Sequence, residues 1–458
     1  MNFRRNPTGV WQVLTGITCL LVFLLLPPVR FKSETSTVLL DRNGQLLSAT
    51  VSDEGMWQFP ASDTVPNKFA TCITQFEDAY FRFHPGVNPF SMVRAAFQNI
   101  KARKVVSGGS TITMQLVRLS RRGKPRTLGE KIVEMAMAVR TEISYSKPRI
   151  LAMYSSNAPF GGNVVGLDAA AWRYFGVSPQ NLSWAEAATL AVLPNAPGLI
   201  FPGRNQHLLV EKRNKLLGKL LKRGYIDDET YHLALLEPSP SLTGGLPHEA
   251  THLLTRCIHN GFKGKLVRST IDRELQENIM RVAQNHHGYL LANGIRNMAV
   301  MVVDNQTGEV MAYMGNVQSN NLSNSPMVDV ISSKRSYGSL LKPFLYGLML
   351  SEGLLYPRQL VNDMPVAYAG FAPQNFSHTF EGVVPANEII SRSLNVPSVN
   401  LLQQYGIEKF HSSLKQMGIT SINKPAGHYG LSIILGGAEA SLWELSGIYA
   451  ALARQAQG

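Results

Sequence analysis

Two neighbouring acids and a histidine stand among aromatic residues in the stretch 76–86, which reads FEDAYFRFHPG. Glu77 comes four residues before Phe81, and apolar neighbours that exclude water raise the pKa of a carboxyl group toward the range useful for proton transfer. Glu77 is therefore a candidate general base in a cleft, with Asp78 and His84 beside it. The alternative is a helix end at which both acids are simply solvated.

The stretch 107–118, SGGSTITMQLVR, combines glycines, hydroxyl groups and a cation. Ser110 and Thr111 can offer hydroxyl and backbone N–H donors, and Gln115 and Arg118 follow on a predicted helix. Backbone donors, hydroxyls and a cation suit the oxygen atoms of a phosphate or a sugar phosphate. The alternative is an ordinary helix N-cap, a position that Ser and Thr favour.

Lys131 and Glu134 are three residues apart and are predicted to share one face of a helix. A lysine beside a second acid could hold a diphosphate, or a metal ion bound to a diphosphate. The alternative is a surface ion pair between the two, which is common in helices.

The second half of the chain contains a serine and a lysine at the spacing Ser339-Leu-Leu-Lys342. On a helix the lysine amine lies within reach of the serine hydroxyl and can take its proton, provided that burial lowers its pKa. Ser393 and Asn395 follow about fifty residues later. This set of four is the arrangement of penicillin-binding proteins and class A β-lactamases. A simple helix start at Ser339 is the alternative.

The elements that would position these residues fall into two groups. Alternating apolar residues around Asn43-Gly44 predict a β-hairpin, and residues 67–236 repeat apolar side chains at helical spacing, which predicts a mostly α domain. A Pro-, Ser- and Gly-rich stretch then indicates a linker, followed by an amphipathic helix and a second hairpin. The predicted boundaries are 1–9 for a cytoplasmic tail, 10–29 for an anchor, 30–236 for the first domain, 237–290 for the linker and 291–458 for the second domain.

Charge and the N-terminal segment restrict the partners. The 458 residues carry a formal net charge of +13, which suggests a nucleic acid, a phosphorylated substrate or an anionic membrane surface as partner. The segment 10–29 has no charged residue and is long enough to cross a bilayer, and Arg4 and Arg5 before it favour a cytoplasmic N-terminus. A cleaved signal peptide is the alternative, but no small-x-small cleavage site follows.

Four motifs, taken together, resemble the glycosyltransferase domain of class A penicillin-binding proteins. They occur in the family's order as ED-x-x-F-x-x-H-x-G, GGST-x-T-x-Q, K-x-x-E and SKPRILAMYSSNAPFGG. APFGGN and MQLVR look most like the 1C subgroup. The resemblance covers residues from about 31 to 236, and several independent motifs agree. It also explains the second half, whose Ser339, Lys342, Ser393 and Asn395 match the transpeptidase domain of the same family.

The resemblance implies a multidomain α+β protein: an N-terminal transmembrane helix, a mostly α, lysozyme-like glycosyltransferase domain and an incomplete α/β penicillin-binding domain. It implies polymerisation of the lipid-linked disaccharide-pentapeptide lipid II into glycan strands at the outer, periplasmic face of the bacterial cytoplasmic membrane. Partners are then lipid II, the growing glycan chain, the membrane and other cell-wall synthesis proteins, and not nucleic acid. No cofactor is certain, although Mg²⁺ would suit a diphosphate leaving group.

The same resemblance assigns roles to individual residues. Glu77 matches the general base and Glu134 the second catalytic acid, while Ser339 and Lys342 match the catalytic pair of the transpeptidase. The remaining positions match residues that contact phosphates, sugars or the peptide substrate: Asp78, Phe81, His84, Ser110, Thr111, Gln115, Arg118, Lys131, Ser393 and Asn395.

The sequence also departs from the family pattern. Glu130 stands where an arginine is usual and could weaken a diphosphate pocket; Met114 and Ala152 replace a common glutamine and glutamate. No Lys-Thr-Gly or Lys-Ser-Gly occurs, so we expect a truncated, inactive transpeptidase half that could pack poorly. Two alternatives remain open: a lysozyme-like lytic glycosidase with Glu77 as general acid, and a non-catalytic penicillin-binding scaffold.

Overall fold

A computed structural model describes residues 23, 26–31, 34–102, 109–121, 124–125, 127–195, 197–240, 245–319, 324–368 and 370–457. The chain divides into two compact units, Met1–Ser269 and Thr270–Gly458. The predicted anchor at 10–29 falls almost wholly outside the described residues. Within the described ranges, every helix is too short or too polar to cross a lipid bilayer.

The first unit is mostly helical, as the apolar periodicity predicts. Its α-helices are α1 (Asn67–Glu77), α2 (Pro89–Ala102), α3 (Ile112–Ser120), α4 (Leu128–Ser144), α5 (Lys147–Asn157), α6 (Leu167–Phe175), α7 (Trp184–Val192), α8 (Gln206–Lys222), α9 (Asp228–Leu236) and α10 (Thr251–Cys257). Short 3₁₀ turns occur at Pro179–Asn181 and Leu193–Asn195, and a π-type turn at Ile258–Phe262.

Two small sheets complete this unit. Their strands are β1 (Val38–Leu40), β2 (Leu46–Ala49), β3 (Trp57–Gln58), β4 (Pro159–Gly161), β5 (Val164–Val165) and β6 (Leu266–Arg268). The predicted hairpin is confirmed, because β1 pairs antiparallel with β2. Gly44, at φ 81°, makes the turn between them. Strand β1 also pairs in parallel with β6, which follows it by more than two hundred residues.

The core of the first unit forms where α1, α7 and α8 pack against one another. Phe69 and Ile73 from α1, Leu190 from α7 and Leu217 from α8 are fully buried there. Burying one such side chain stabilises the fold by roughly 1.5–3 kcal/mol. A second group of helices, α3, α4 and α5, packs beside this core. The loop after α1 therefore lies between the two groups, and α1 ends at Glu77.

The second unit mixes helices with short antiparallel strand pairs. Its helices are α11 (Arg273–Ala292), α12 (Lys342–Ser351), α13 (Ala386–Ser391), α14 (Asn395–Tyr405), α15 (Ile407–Gln416), α16 (Ala426–Tyr429) and α17 (Leu442–Ala456), with a 3₁₀ turn at Gly430–Leu435. Its strands are β7 (Val300–Val303), β8 (Val310–Met314), β9 (Arg335–Ser336), β10 (Leu360–Asp363), β11 (Gly382–Pro385) and β12 (Glu439–Ala440).

The predicted amphipathic helix and the hairpin after it are confirmed as α11 and the β7–β8 pair. The second unit is α+β, because within the described residues β7–β8, β9–β12 and β10–β11 are all antiparallel and no crossover helix joins parallel neighbours. Leu341, Ile389, Val399, Phe410 and Leu414 form a fully buried helical core. The poor packing expected from the sequence is absent from this core, although all four residues of β7 are only half-buried.

Candidate functional site

Glu77 is the last residue of α1, and its two carboxylate oxygens differ in their surroundings. Gln115 donates from Nε2 to Oε2 of Glu77 over 2.8 Å. The other oxygen, Oε1, is buried and has no hydrogen-bond partner among the described residues. A buried, unpaired carboxylate oxygen is costly for folding alone, and its presence therefore points to a site that receives another molecule.

Opposing effects set the ionisation of Glu77. Burial is the largest and raises its pKa, and the nearby charge of Asp78 raises it as well. The Gln115 amide, the charge of Lys212 and the side chain of Asn195 lower it. The resulting pKa lies above the usual value for a glutamate, which suits a group that must accept a proton near neutral pH.

One face of α3 reaches both candidate catalytic acids. Gln115 and Arg118 are three residues apart on this helix and so project from the same side. While Gln115 contacts Glu77, Arg118 donates from Nε and Nη2 to the two oxygens of Glu134, each over 2.9 Å. Arg118 Nη2 also donates to Ser110 Oγ over 3.4 Å. The structure thus brings together these five residues from three segments of the chain.

The start of α3 is fixed by the residues that follow Glu77. Thr111 is the N-cap, and its hydroxyl oxygen accepts from the Met114 N–H over 3.1 Å. Asp78 Oδ2 accepts from the Ile112 N–H over 3.1 Å. The Asp78 carboxylate therefore ties the end of α1 to the beginning of α3.

His84 completes this connection. Its Nδ1 accepts from the Gly86 N–H over 3.2 Å, so Nε2 carries the hydrogen and donates to Asp78 over 2.9 Å. The Asp78 and His84 side chains are 5% and 7% exposed. Phe81, also buried, contacts the His84 ring edge-on and carries the Lys147 amine above its face. These contacts join Asp78, Phe81 and His84 to one another, and Asp78 joins them to the start of α3.

Lys131 and Glu134 do not pair with each other. Glu134 is buried and its two oxygens are occupied by Arg118, whereas the half-buried amine of Lys131 has no hydrogen bond or ion pair with any described residue. Glu130, the departure from the family arginine, pairs with Arg121 over 2.5 and 3.1 Å. Its negative charge is thereby neutralised by Arg121, the C-cap residue of α3.

Three further residues belong to the site but were not identified from the sequence: Tyr154, Asn195 and Lys212. Tyr154 donates its hydroxyl hydrogen to Gln115 Oε1 over 3.1 Å, and Lys212 Nζ donates to Asn195 Oδ1 over 3.1 Å. Tyr154 and Asn195 lie in the segments MYSSN and LPNAP, which contributed only to the family resemblance. No sequence motif around Lys212 identifies it as a site residue, and only its positive charge could have drawn attention to it.

The second unit gathers part of another site around Lys342. This buried lysine donates from Nζ to the Ser393 carbonyl over 2.8 Å, to Ser393 Oγ over 3.3 Å and to Asn395 Oδ1 over 2.7 Å. Burial lowers the pKa of its amine to about 8. Ser393 adopts φ 52°, a conformation that a serine rarely takes. Ser339 is half-buried and precedes Lys342 by three residues. Among the described residues, its hydroxyl shares no hydrogen bond with Lys342 Nζ.

The described residues contain no group of three or more His, Cys, Asp or Glu side chains placed to hold a metal ion. In the first unit, both oxygens of Glu134 already accept from Arg118. The expectation of Mg²⁺ stays a prediction, and the chemistry below is derived without it.

Comparison with known proteins matches one family to each of the two units. Residues 43–221 match the Transglycosylase family, and residues 298–455 match the penicillin binding protein transpeptidase domain. Penicillin-binding protein 1C of Escherichia coli is 36% identical over 97% of this chain and 58% of its own length. Penicillin-binding protein 1B of Haemophilus influenzae is 28% identical over 83% of this chain and 51% of its own length. Penicillin-binding protein 1F of Bacillus subtilis is 27% identical over 88% of this chain and 57% of its own length.

The chain thus spans between 51% and 58% of the length of these three relatives. The two matched regions lie in the order transglycosylase, then transpeptidase, one in each compact unit. With both domains matched and the similarity to penicillin-binding protein 1C extending over nearly the whole chain, the chain belongs to the class A penicillin-binding proteins.

Proposed function

We propose that the first unit is a peptidoglycan glycosyltransferase, which polymerises lipid II into glycan strands and releases undecaprenyl diphosphate. The observation that carries this proposal is the state of Glu77: a buried carboxylate with one oxygen held by Gln115 and the other unpaired. A general base needs one such free oxygen, within hydrogen-bond reach of the proton that it removes.

The reaction requires a proton acceptor and a stabilised leaving group. Oε1 of Glu77 takes the proton from the 4-hydroxyl of the acceptor sugar, and that oxygen attacks the anomeric carbon of the growing chain with inversion. The bond from the anomeric carbon to the diphosphate oxygen breaks, and its electron pair leaves with undecaprenyl diphosphate. Gln115 prevents Oε2 from competing for the proton, because it keeps that oxygen hydrogen-bonded.

The leaving group would be received by the cations on α3 and α4. Arg118 is held by Glu134 but keeps 37% of its side chain exposed, so part of its guanidinium can still meet a phosphate. Lys131 has no acidic partner among the described residues and offers a point charge. Glu134 therefore acts by orienting Arg118, and Ser110 adds a hydroxyl beside it.

A substrate with a lipid tail requires the site to face a bilayer. We propose that residues 10–29 anchor the chain in the cytoplasmic membrane, with both units on its outer side. In α2, Phe90, Val93 and Phe97 leave 88%, 59% and 74% of their side chains exposed, and they recur at helical spacing. An exposed apolar stripe of this kind suits contact with lipid.

Incubation of the full chain with labelled lipid II tests the proposal. We expect polymer and released undecaprenyl diphosphate, and we expect Glu77→Gln to abolish both because glutamine cannot accept the proton. A lytic glycosidase would instead shorten preformed glycan and leave lipid II unchanged. Polymer formation by Glu77→Gln at the wild-type rate would show that the base has been assigned to the wrong residue.

For the second unit we propose that this chain does not form a stable acyl-enzyme at Ser339. This proposal is supported by the contacts of Lys342, whose amine donates to Ser393 and Asn395 and shares no hydrogen bond with the Ser339 hydroxyl among the described residues. No described base therefore holds that hydroxyl for attack. Labelling with fluorescent penicillin, compared with Ser339→Ala, tests the point: labelling of the wild type alone would contradict it.

A further inference from the structure

A single carboxylate oxygen, Oε1 of Glu142, joins three helices of the first unit. Glu142 lies in the last turn of α4, and Lys147 is the first residue of α5. The Thr113 hydroxyl, on α3, donates to this oxygen over 2.5 Å, and Lys147 Nζ donates to it over 2.8 Å. Glu142 therefore connects α3, α4 and α5 through one atom.

Lys147 extends this connection to the loop 78–88, which follows Glu77 directly in the chain. Its amine also donates to the His84 carbonyl over 2.7 Å and lies 4.5 Å from the centre of the Phe81 ring. The three N–H groups of the amine thus have two oxygen acceptors and one aromatic face. The loop is held at the same point as the three helices.

The four segments that meet here also carry Glu77 and its partners. The loop 78–88 continues the backbone from Glu77, and α4 carries Glu134. On α3, Gln115 donates to Glu77 Oε2 over 2.8 Å, and Tyr154 on α5 donates to Gln115 Oε1. A hydrogen bond of this length is lost when its two atoms separate by about 1 Å more, so a small shift of the loop against α3 would release Glu77.

The partial burial of the Glu142–Lys147 pair fits a role in geometry. The Glu142 side chain is 8% exposed and that of Lys147 is 24% exposed. For charges buried to this degree, the cost of leaving water offsets much of their attraction, so the pair adds little net stability over apolar side chains of the same shape. Its hydrogen bonds are directional, however, and they restrict where each partner can lie.

Two other side-chain bonds join the loop to α3, and both act at the N-terminus of that helix. Asp78 accepts from a backbone N–H there, and Thr111 donates its hydroxyl hydrogen to the Gly86 carbonyl over 2.6 Å. Neither bond reaches α4 or α5. The bonds at Glu142 therefore add a separate restraint, which fixes the loop and α3 relative to α5.

We propose that Glu142 and Lys147 are positioning residues for the proposed base: they hold the loop 78–88, α3 and α5 in place, so that Gln115 keeps one oxygen of Glu77 and the other stays free for the acceptor hydroxyl. Both act through the loop and α3, and not by contact with substrate. The inference rests on the proposed function, in which Glu77 removes a proton, and deepens it by extending the site to this pair.

Titration of Glu77 by carbon-13 NMR measures the effect without substrate, in the full chain labelled at the glutamate carboxyl carbon. The Glu77 signal is assigned by its loss in Glu77→Gln. The Gln115 hydrogen bond lowers the pKa of Glu77, so a weaker bond should raise that pKa. In Lys147→Met we expect the ratio of protonated to ionised Glu77 at a fixed pH to rise about three- to tenfold. Lys147→Arg can still reach both oxygens and should restore the ratio.

Thr113→Val tests the other end of the connection and decides the question if Lys147→Met does not fold. It removes the hydroxyl on α3 with little change of shape, and it should raise the same ratio. Thr189→Val is the matched control, because the Thr189 hydroxyl is also buried but donates to the Ala185 carbonyl within α7. An unchanged ratio in a folded Lys147→Met or Thr113→Val, or an equal rise in Thr189→Val, would overturn the proposal.

Kinetics separate positioning from a general loss of stability. In Lys147→Met we expect kcat to fall about tenfold or more, because a small misplacement of the base is costly, while KM for lipid II changes by less than about twofold. Lys68→Met is the control: Lys68 is also half-buried and donates to the Leu182 carbonyl over 2.9 Å, near the opposite end of α1 from Glu77. It should keep kcat within about twofold, and equal losses of kcat in the two variants would contradict positioning.

The effect of Lys147 should also depend on Gln115. Because Lys147 acts through the bond from Gln115 to Glu77, adding Lys147→Met to Gln115→Leu should lower kcat by less than about twofold further. Losses that multiply would overturn this route of action. A wild-type chain that makes no polymer would refute the proposed function, while the NMR titration would still decide the role of Lys147.

Discussion

Tyr154 and Gln115 form a chain of hydrogen bonds to Glu77, the proposed base: the tyrosine hydroxyl donates to Gln115 Oε1 over 3.1 Å, and Gln115 Nε2 donates to Glu77 Oε2 over 2.8 Å. The first bond decides which end of the amide faces Glu77. With the amide reversed, two oxygens would meet and Glu77 would lose its partner.

Tyr154→Phe should therefore lower the polymerisation rate about tenfold with a small loss of stability, about 1 kcal/mol, from one unpaired amide oxygen. Tyr174→Phe is the control, since its hydroxyl donates to the backbone carbonyls of Phe160 and Gly161 and not to Gln115. Activity assays and urea unfolding of both variants separate the two effects. Equal losses of activity would mean that this chain of hydrogen bonds has no special role.

Arg118→Lys should destabilise the first unit by about 1–3 kcal/mol, because a lysine cannot donate to both oxygens of the buried Glu134. The control is Arg121→Lys. Arg121 makes a similar two-bond contact with Glu130, but both partners are more exposed than Glu134. That exchange should cost less than about 1 kcal/mol. Urea unfolding of the two variants measures the difference. Equal losses of unfolding free energy would show that the burial of Glu134 does not decide the strength of its ion pair.

Gly86→Ala should destabilise the first unit by more than about 2 kcal/mol. Gly86 has φ 94°, and a Cβ atom at this position would lie 2.7 Å from the carbonyl oxygen of Ala138. Gly55→Ala isolates the backbone contribution, since Gly55 also has a positive φ, 72°, but open space around it. A similar loss in both variants, measured by thermal unfolding, would exclude a steric contribution from Ala138.

Stability of the second unit should increase with pH above about 8. Burial lowers the pKa of Lys342 to about 8 in the folded chain, whereas an exposed lysine has a pKa of about 10.4. Between these values the unfolded chain binds more protons, so the free energy of unfolding rises with pH, by about 3 kcal/mol in total. Hydrogen exchange of peptides from α12 and α14 measures this, and the pH dependence should disappear in Lys342→Met.

Local patterns identified much of the fold and of the site. Apolar periodicity located the helices of the first unit and the helix α11, and turn residues located the hairpins at Gly44 and between β7 and β8. Glu77 was recognisable because its aromatic neighbours lie next to it in the sequence. Gln115 and Arg118 were recognisable because one helix turn places them on one face.

Partners from distant segments were not predictable. The spacing of Lys131 and Glu134 suggested a pair within α4, but Glu134 binds Arg118 on α3, since packing of α3 on α4 decides the contact. Lys212 reaches Asn195 only after α7 and α8 fold against each other. The antiparallel pairing of the second unit likewise depends on which strands meet, which a hydrophobic run does not specify.

Strand β6 has a practical consequence for anyone who wishes to produce the first unit separately. A gene fragment that stops at residue 236, where the helical pattern ends, would omit the strand that lies alongside β1 and leave the amide and carbonyl groups of Val38–Leu40 open on one side. An open edge of this kind recruits strands from other copies and favours insoluble material. A fragment extended to Ser269 would retain β6 beside β1 and so close this edge with its own strand.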